Sequence, residues 1–352
     1  MTTVRAQDER AVTTARASSA VTRPRPLRIP SRTQRSGTQR SRTQRGTGLV
    51  LAIVSGAAFG TSGTFGDGLL RAGWSPGAAV LARITVAALV LTPPALLQLR
   101  GHWAALRRGV RQVLAYGLIG VLGCTFCYFY ALQTIPVGVG LLLEYTGAIM
   151  VVGWLWLRHG QRPRWLTISG TVAAIGGLAL MAGITGSGGV SMIGFAWGLM
   201  AAVCMTAFMF ICDRPRAVET SASPSGRPEE LSPLMLSWAG IWVAAIALSA
   251  LGLTHAVPMA ARTADVAFLG HQVSWILPVL AVGALSTAAA YITAVAAVRS
   301  LGPKLASFVG MSEVLFAAAF AWLMLDQVPT ATQFAGGALI LAGVVLVRAD
   351  ER

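Results

Sequence analysis

From residue 48 onward, the chain alternates between runs of about twenty mostly apolar residues and short polar stretches. A helix needs about 20 such residues to cross a hydrocarbon layer of ~30 Å. Runs of this length lie near 48–70, 76–98, 112–132, 136–157, 166–184, 192–212, 233–253, 274–298, 304–325 and 331–348. The pattern predicts an all-α membrane protein of ten transmembrane helices, numbered here as spans one to ten.

The polar stretches between the runs differ in charge by alternation. One set carries Arg100, Arg107, Arg108 and Arg111, then Arg158, Arg162 and Arg164, then Arg214, Arg216 and Arg227, then Arg299 and Lys304, and finally Arg348 and Arg352. The other set offers only Arg71 and Arg262. Cytoplasmic loops are the ones enriched in Lys and Arg. Ten spans with both termini inside satisfy every loop.

The runs also repeat. A shift of 166 residues superposes Trp156 on Trp322, Pro163 on Pro329, Gly170 on Gly336 and Gly177 on Gly343. A shift of 146 superposes Gly48 on Gly194 and Asp67 on Asp213. Chance identity is the competing account of so few matches. Two five-helix repeats are therefore expected, at 48–185 and 190–349. Five is odd, so the second repeat enters the membrane inverted, as is usual in alternating-access transporters whose site lies where the halves meet. Gly170 and Gly177 share one helix face, as do Gly336 and Gly343. Close helix contact is their expected role.

Composition supports lipid as the solvent. Hydrophobic residues make up 55% of the 352 and charged residues 12%, against roughly a quarter charged in a soluble domain; mean hydropathy is +0.65. The net charge of +15 is mostly a property of residues 1–47, which hold eleven arginines against Asp8 and Glu9. This segment repeats Thr-Gln-Arg at 33–35, 38–40 and 43–45 and has little to bury. It reads as a disordered Arg-rich cytoplasmic tail. The alternatives are a solvated tail and one held on anionic lipid. Nucleic acid is not an expected partner, since no folded or aromatic platform accompanies the arginines.

Three motifs carry a resemblance. Leu143-Glu144-Tyr145-Thr146-Gly147-Ala148, Ser286-Thr287-Ala288-Ala289-Ala290-Tyr291, and Met311-Ser312-Glu313 through Asp326 to the glycines of span ten are similar to stretches of threonine/homoserine exporters. With the duplicated plan, the chain resembles the drug/metabolite transporter superfamily, EamA type, over about 48–349. Ala148, Ala290 and Val314 stand where those exporters have proline, and Asp326 replaces a Glu. The resemblance implies a transporter of small metabolites.

Charges inside spans cost several kcal/mol on most scales, so each needs a reason. Glu144 lies eight residues into span four, about 12 Å deep. Arg83 is at similar depth in span two, and Glu313 is near the middle of span nine, on a stripe with Ser307 and Gly310. The carboxylates suit proton carriage or amine binding. Arg83 suits a substrate carboxylate, or else a structural pairing with Asp67 or Glu144. Tyr128, Tyr130, Tyr145 and Tyr291 are expected either around the pocket or as interfacial anchors. Ser312 joins the list from its motif. Asp326 reads as a solvated loop residue. Cys124 and Cys127 form a C-x-x-C inside an apolar run without ligand partners, and read as small apolar filler.

No P-loop, metalloprotease motif or nucleophile constellation competes, so no enzyme activity, cofactor or metal is expected. The expected function is export of an amino acid or similar small metabolite across the inner (plasma) membrane, proton-linked or by exchange. A multidrug exporter of lipophilic cations is the alternative, and a membrane scaffold or enzyme the second. The expected partners are a small-molecule substrate and membrane lipid, with a homodimer as one assembly open to it.

Overall fold

The computed structural model describes residues 32–99, 103–131, 133–135, 137–160, 163–181, 191–213, 231–268, 271–325 and 328–350. The expected tail lies outside them up to residue 31, and Asp326 also falls outside. The helix that carries span one is Arg32–Arg71. Gly46–Arg71 is the part apolar enough to cross a membrane.

Among the described residues, ten helical rods follow the predicted order. Span two is Pro76–Leu99, and span three runs over Val110–Ala131. Span four is Val137–Tyr145 continued by Gly147–His159, and span five is Trp165–Met181. Span six is Met192–Cys212 and span seven Pro233–Leu253. Span eight runs over Ile276–Leu301. Span nine is Pro303–Gly310 continued by Ser312–Leu325, and span ten is Ala331–Asp350. Nine rods have the length and apolarity of a membrane span, and the described part of span five is shorter. Apolar side chains such as Leu157, Leu253 and Met192 are at least 80% exposed, which suits a surface solvated by lipid.

The helices are interrupted in matching places. Span three is π-helical over Tyr116–Gly123 and span eight over Ala284–Ala289. Span four breaks at Thr146 and span nine at Met311. Proline is absent from both breaks. At Thr146 the backbone N–H lies between the carbonyls of Leu142 and Leu143, and the side-chain hydroxyl bonds the Leu143 carbonyl. Side-chain and three-residue backbone bonds there share the carbonyls with the four-residue bonds of the regular ladder.

The halves meet in equivalent contacts. Spans five and ten pack along each other. Gly170 faces the Gly343 carbonyl, where an added Cβ would sit 2.8 Å away, and Gly177 faces the Gly336 carbonyl. These pairings run in opposite directions along the two rods, so repeat-related helices lie antiparallel. Likewise Gly117 abuts Gly240 and Val243, while Gly283 abuts the Arg83 carbonyl and Val86. The shift of 166 carries Gly117 onto Gly283, and a shift of 157 carries Arg83 and Val86 onto Gly240 and Val243. The inverted duplication read from sequence is thus the plan of the packing.

Two features depart from an all-helical chain with plain connections. The link from span seven to span eight holds a hairpin of β1 (Val266–Phe268) and β2 (His271–Val273). The same link covers the turn between spans one and two: Trp74 donates to the Arg262 carbonyl at 2.7 Å, and Ser75 bonds Pro258 and Ala260. Spans eight and nine are joined by Gly302 alone, at φ +83, a conformation open to glycine, with Pro303 starting the next helix.

Candidate functional site

Seven spans enclose a cavity of about 350 Å³, and its lining comes from spans one to four, six, eight and nine. The described residues of spans five and ten, zipped by their glycines, contribute none of it. Arg83, Glu144, Glu313, Tyr128, Tyr145 and Tyr291 all line this space. Its volume falls in the range of small-molecule pockets.

The π-helical stretch of span eight builds the seat of Arg83. The wide turn lets the Thr287 hydroxyl reach back five residues to the Val282 carbonyl, at 3.0 Å. Its lone pairs then accept from Arg83 Nε at 3.1 Å. A second guanidinium nitrogen, Nη1, donates to the Ser62 hydroxyl of span one, also at 3.1 Å. The neighbouring Ser286 hydroxyl lies 2.6 Å from that of Thr61. Arg83 is buried, yet among the described residues it has no ion pair. The pairing expected with Glu144 is therefore replaced by neutral hydroxyls, and the Asp67 side chain lies outside the described residues. Among the described residues, two of five guanidinium N–H groups are committed in this way.

The two carboxylates are held differently. Glu144 accepts from the Cys124 thiol of span three, with Sγ 3.0 Å from Oε1. Cys124 packs with Cys127, Cys204 and Ala201, as the filler reading expects, and in addition lines the cavity beside Glu144. Glu313 accepts from the Tyr145 hydroxyl at 2.6 Å, and the same hydroxyl oxygen is 3.1 Å from the Gly310 carbonyl. Glu144 and Tyr145 are sequence neighbours, so their side chains leave the helix about 100° apart. One meets span three and the other span nine.

Two residues named from sequence stand outside the cavity. Tyr130 packs its ring on Phe126 and Trp197, at centroid distances of 4.4 and 5.3 Å. It lines a separate space of about 30 Å³. Ser312 is buried against Gly56 of span one, and its hydroxyl has no partner among the described residues. Of the expected stripe, Gly310 and Glu313 line the cavity, whereas Ser307 is buried and donates to the Lys304 carbonyl.

Other lining residues escaped the sequence reading. Phe59 and Phe208 form an aromatic wall with the expected Tyr291, which lies 5.1 Å from Phe59 and 6.0 Å from Phe208. Ser55, Ser62 and Thr125 add hydroxyls. Apolar aromatic residues in spans carry no marker that separates a cavity wall from a helix contact.

A bundle of apolar helices, duplicated and antiparallel around an ionisable cavity, defines a multi-pass membrane transporter of the inverted-repeat kind. The chain belongs to the EamA-like transporter family, which matches residues 46–183 and 192–349. A solved crystal structure, described only as that of a protein, is similar in fold: it covers 87% of this chain and 99% of its own, with a TM-score of 0.65 and 18% identity. No curated protein matches the sequence.

Proposed function

We propose that this protein exports an amino acid or similar small metabolite across the cell membrane, by alternating access coupled to protons or to exchange. The observation that carries the reading is the convergence of Arg83, Glu144 and Glu313 on one cavity walled by both repeats. A guanidinium seated on neutral hydroxyls keeps N–H groups for a carboxylate. The carboxylates offer an ammonium group its counter-charge. Two carboxylates facing one guanidinium leave an excess negative charge in a site of low dielectric, which either a proton or a substrate ammonium group can neutralise. Proton and substrate then compete for one group, and that competition couples their fluxes.

The aromatic wall of Phe59, Phe208 and Tyr291 favours a second reading, export of a lipophilic cation, because ring faces attract cations. One experiment separates the two. Purified protein in proteoliposomes preloaded with unlabelled compound is tested for counterflow of labelled amino acids and of lipophilic cations. Saturable counterflow of an amino acid supports the first reading. Counterflow of cations alone supports the second, and flux of neither class, with a correctly inserted protein, overturns both.

A further inference from the structure

A phenol has a single proton, and Tyr145 has two acceptors in reach of it. Its oxygen lies 2.6 Å from Glu313 Oε2 and 3.1 Å from the Gly310 carbonyl oxygen. The second acceptor is not an ordinary helix carbonyl. In a regular helix the Val314 N–H would bond Gly310. Here it bonds the Met311 carbonyl at 3.2 Å, and the Met311 N–H bonds Phe308 at 3.2 Å. The Gly310 carbonyl therefore sits in the gap where span nine breaks.

We infer that Tyr145 is a positioning residue that couples the proton on Glu313 to the break in span nine. When Glu313 is ionised it can only accept, so the phenol proton points to Oε2. When Glu313 carries a proton, that carboxylic O–H donates to the Tyr145 oxygen, and the phenol proton turns to the Gly310 carbonyl. No bond to carbon changes and no proton is lost: one proton arrives from solvent, and one hydrogen bond changes its acceptor. The relay joins span four of the first repeat to the hinge of span nine in the second. Relative movement of the halves can thereby follow the charge on Glu313.

The groups facing Glu313 from the surrounding spans are few. Span four adds Glu144, which is bonded to Cys124 of span three. Span two adds Arg83, bonded to Ser62 and Thr287. Tyr128 of span three and Tyr291 of span eight line the same cavity. Span one meets Glu313 through the backbones of Gly56 and Gly60, and the Asp67 side chain lies outside the described residues. Tyr145 alone among the described residues bonds the Glu313 carboxylate.

The inference rests on the transport reading above, and its test separates the two. Tyr145→Phe keeps the ring and removes the relay. In proteoliposomes, pH-driven transport should fall at least roughly tenfold further than counterflow at equal pH. Losing a hydrogen bond to a charged group should move the pH profile upward by about one to two units. An unchanged profile overturns the relay while leaving transport intact. Hydrogen–deuterium exchange of the peptide spanning 308–316, corrected for intrinsic pH dependence, gives a readout independent of substrate and of the Tyr145 variant. Wild-type span nine should change its protection between low and high pH, and Glu313→Gln should show the low-pH pattern at both. A wild-type pattern that does not change with pH overturns the inference even where transport is measured. A change that persists without any measurable transport supports the relay and sinks the transport reading.

Discussion

Glu313 occupies, in the second repeat, the place that Gly147 holds in the first. Gly147 abuts the Ala202 carbonyl and the Thr206 hydroxyl of span six, at 2.9 and 3.2 Å from an added Cβ. The Glu313 backbone abuts Gly56 and Gly60 of span one. The shift of 146 carries Gly56 onto Ala202 and Gly60 onto Thr206, so the two joints are the same joint. By the companion shift of 166, Glu144 stands where the second repeat has Gly310. A near-symmetric scaffold thus carries an asymmetric pair of carboxylates, displaced by about one helical turn. The symmetry that relates the halves does not relate the two acids.

This asymmetry gives unequal expectations for two conservative variants. Glu→Gln keeps size and hydrogen bonding but removes titration. Glu313→Gln should abolish pH-driven transport, since Glu313 is the acid bonded across the halves to Tyr145. Glu144→Gln should chiefly weaken substrate binding, since its described partner is a thiol within its own repeat. Transport rates against pH and binding in nanodiscs measure both. Binding of an ammonium-bearing substrate should strengthen as pH rises, because the ionised acid is the competent form. Normal transport by both variants across pH would make the carboxylates structural.

The glycine joint between spans five and ten makes a local prediction. A side chain at Gly177 would meet the Gly336 carbonyl and the Ile340 N–H, whereas one at Gly176 meets open space within 4 Å. Gly177→Leu should destabilise the purified protein by about 1–3 kcal/mol through overpacking. Gly176→Ala should stay within about 0.5 kcal/mol of wild type. Thermal unfolding in detergent compares them, and equal midpoints would remove the close contact from the account.

The sequence carried the ten spans and the duplication because length, apolarity and glycine spacing are written into single helices. The acids and Arg83 were legible for a related reason: a charge inside a span stands out against its neighbours. What the sequence concealed depends on contacts between helices. The Cys124–Glu144 bond joins residues on different spans, and Cys124 alone looks like any small apolar residue. The π-helical seat of Arg83 follows from a Thr hydroxyl reaching Val282, which no periodicity marks. Tyr130 and Ser312 shared the residue types and motifs of the cavity lining, yet helix rotation turned them into other contacts.

The seat of Arg83 predicts that lysine cannot replace it. Lysine keeps the charge but lacks the planar fork that serves Ser62 and Thr287 together. Arg83→Lys should raise the KM for a carboxylate-bearing substrate roughly 10- to 100-fold, the loss of one or two charge-assisted bonds. The same variant should leave the transport of a substrate without a carboxylate nearly unchanged. Initial rates for a matched acid and amide pair make the comparison. Equal losses for both would assign Arg83 to holding spans one, two and eight together.

Orientation is the last expectation, and it follows from charge alone. Alternate connections hold nearly all the Lys and Arg, and membrane insertion keeps such loops in the cytoplasm. The ends of the rods agree: the described Lys304–Asp350 ion pair, at 3.2 Å, lies at the basic end of spans nine and ten. The inverted repeat adds a constraint, since reversing one half without the other would break the antiparallel contact of Gly170 with Gly343. Reporter fusions after Ser187, Ser223 and Arg262 should therefore read outside, inside and outside. If all three signals were reversed, the bundle would stand but the direction assigned to export would be wrong. A single reversed signal would instead break the ten-span count, because each site is separated from the next by an odd number of spans.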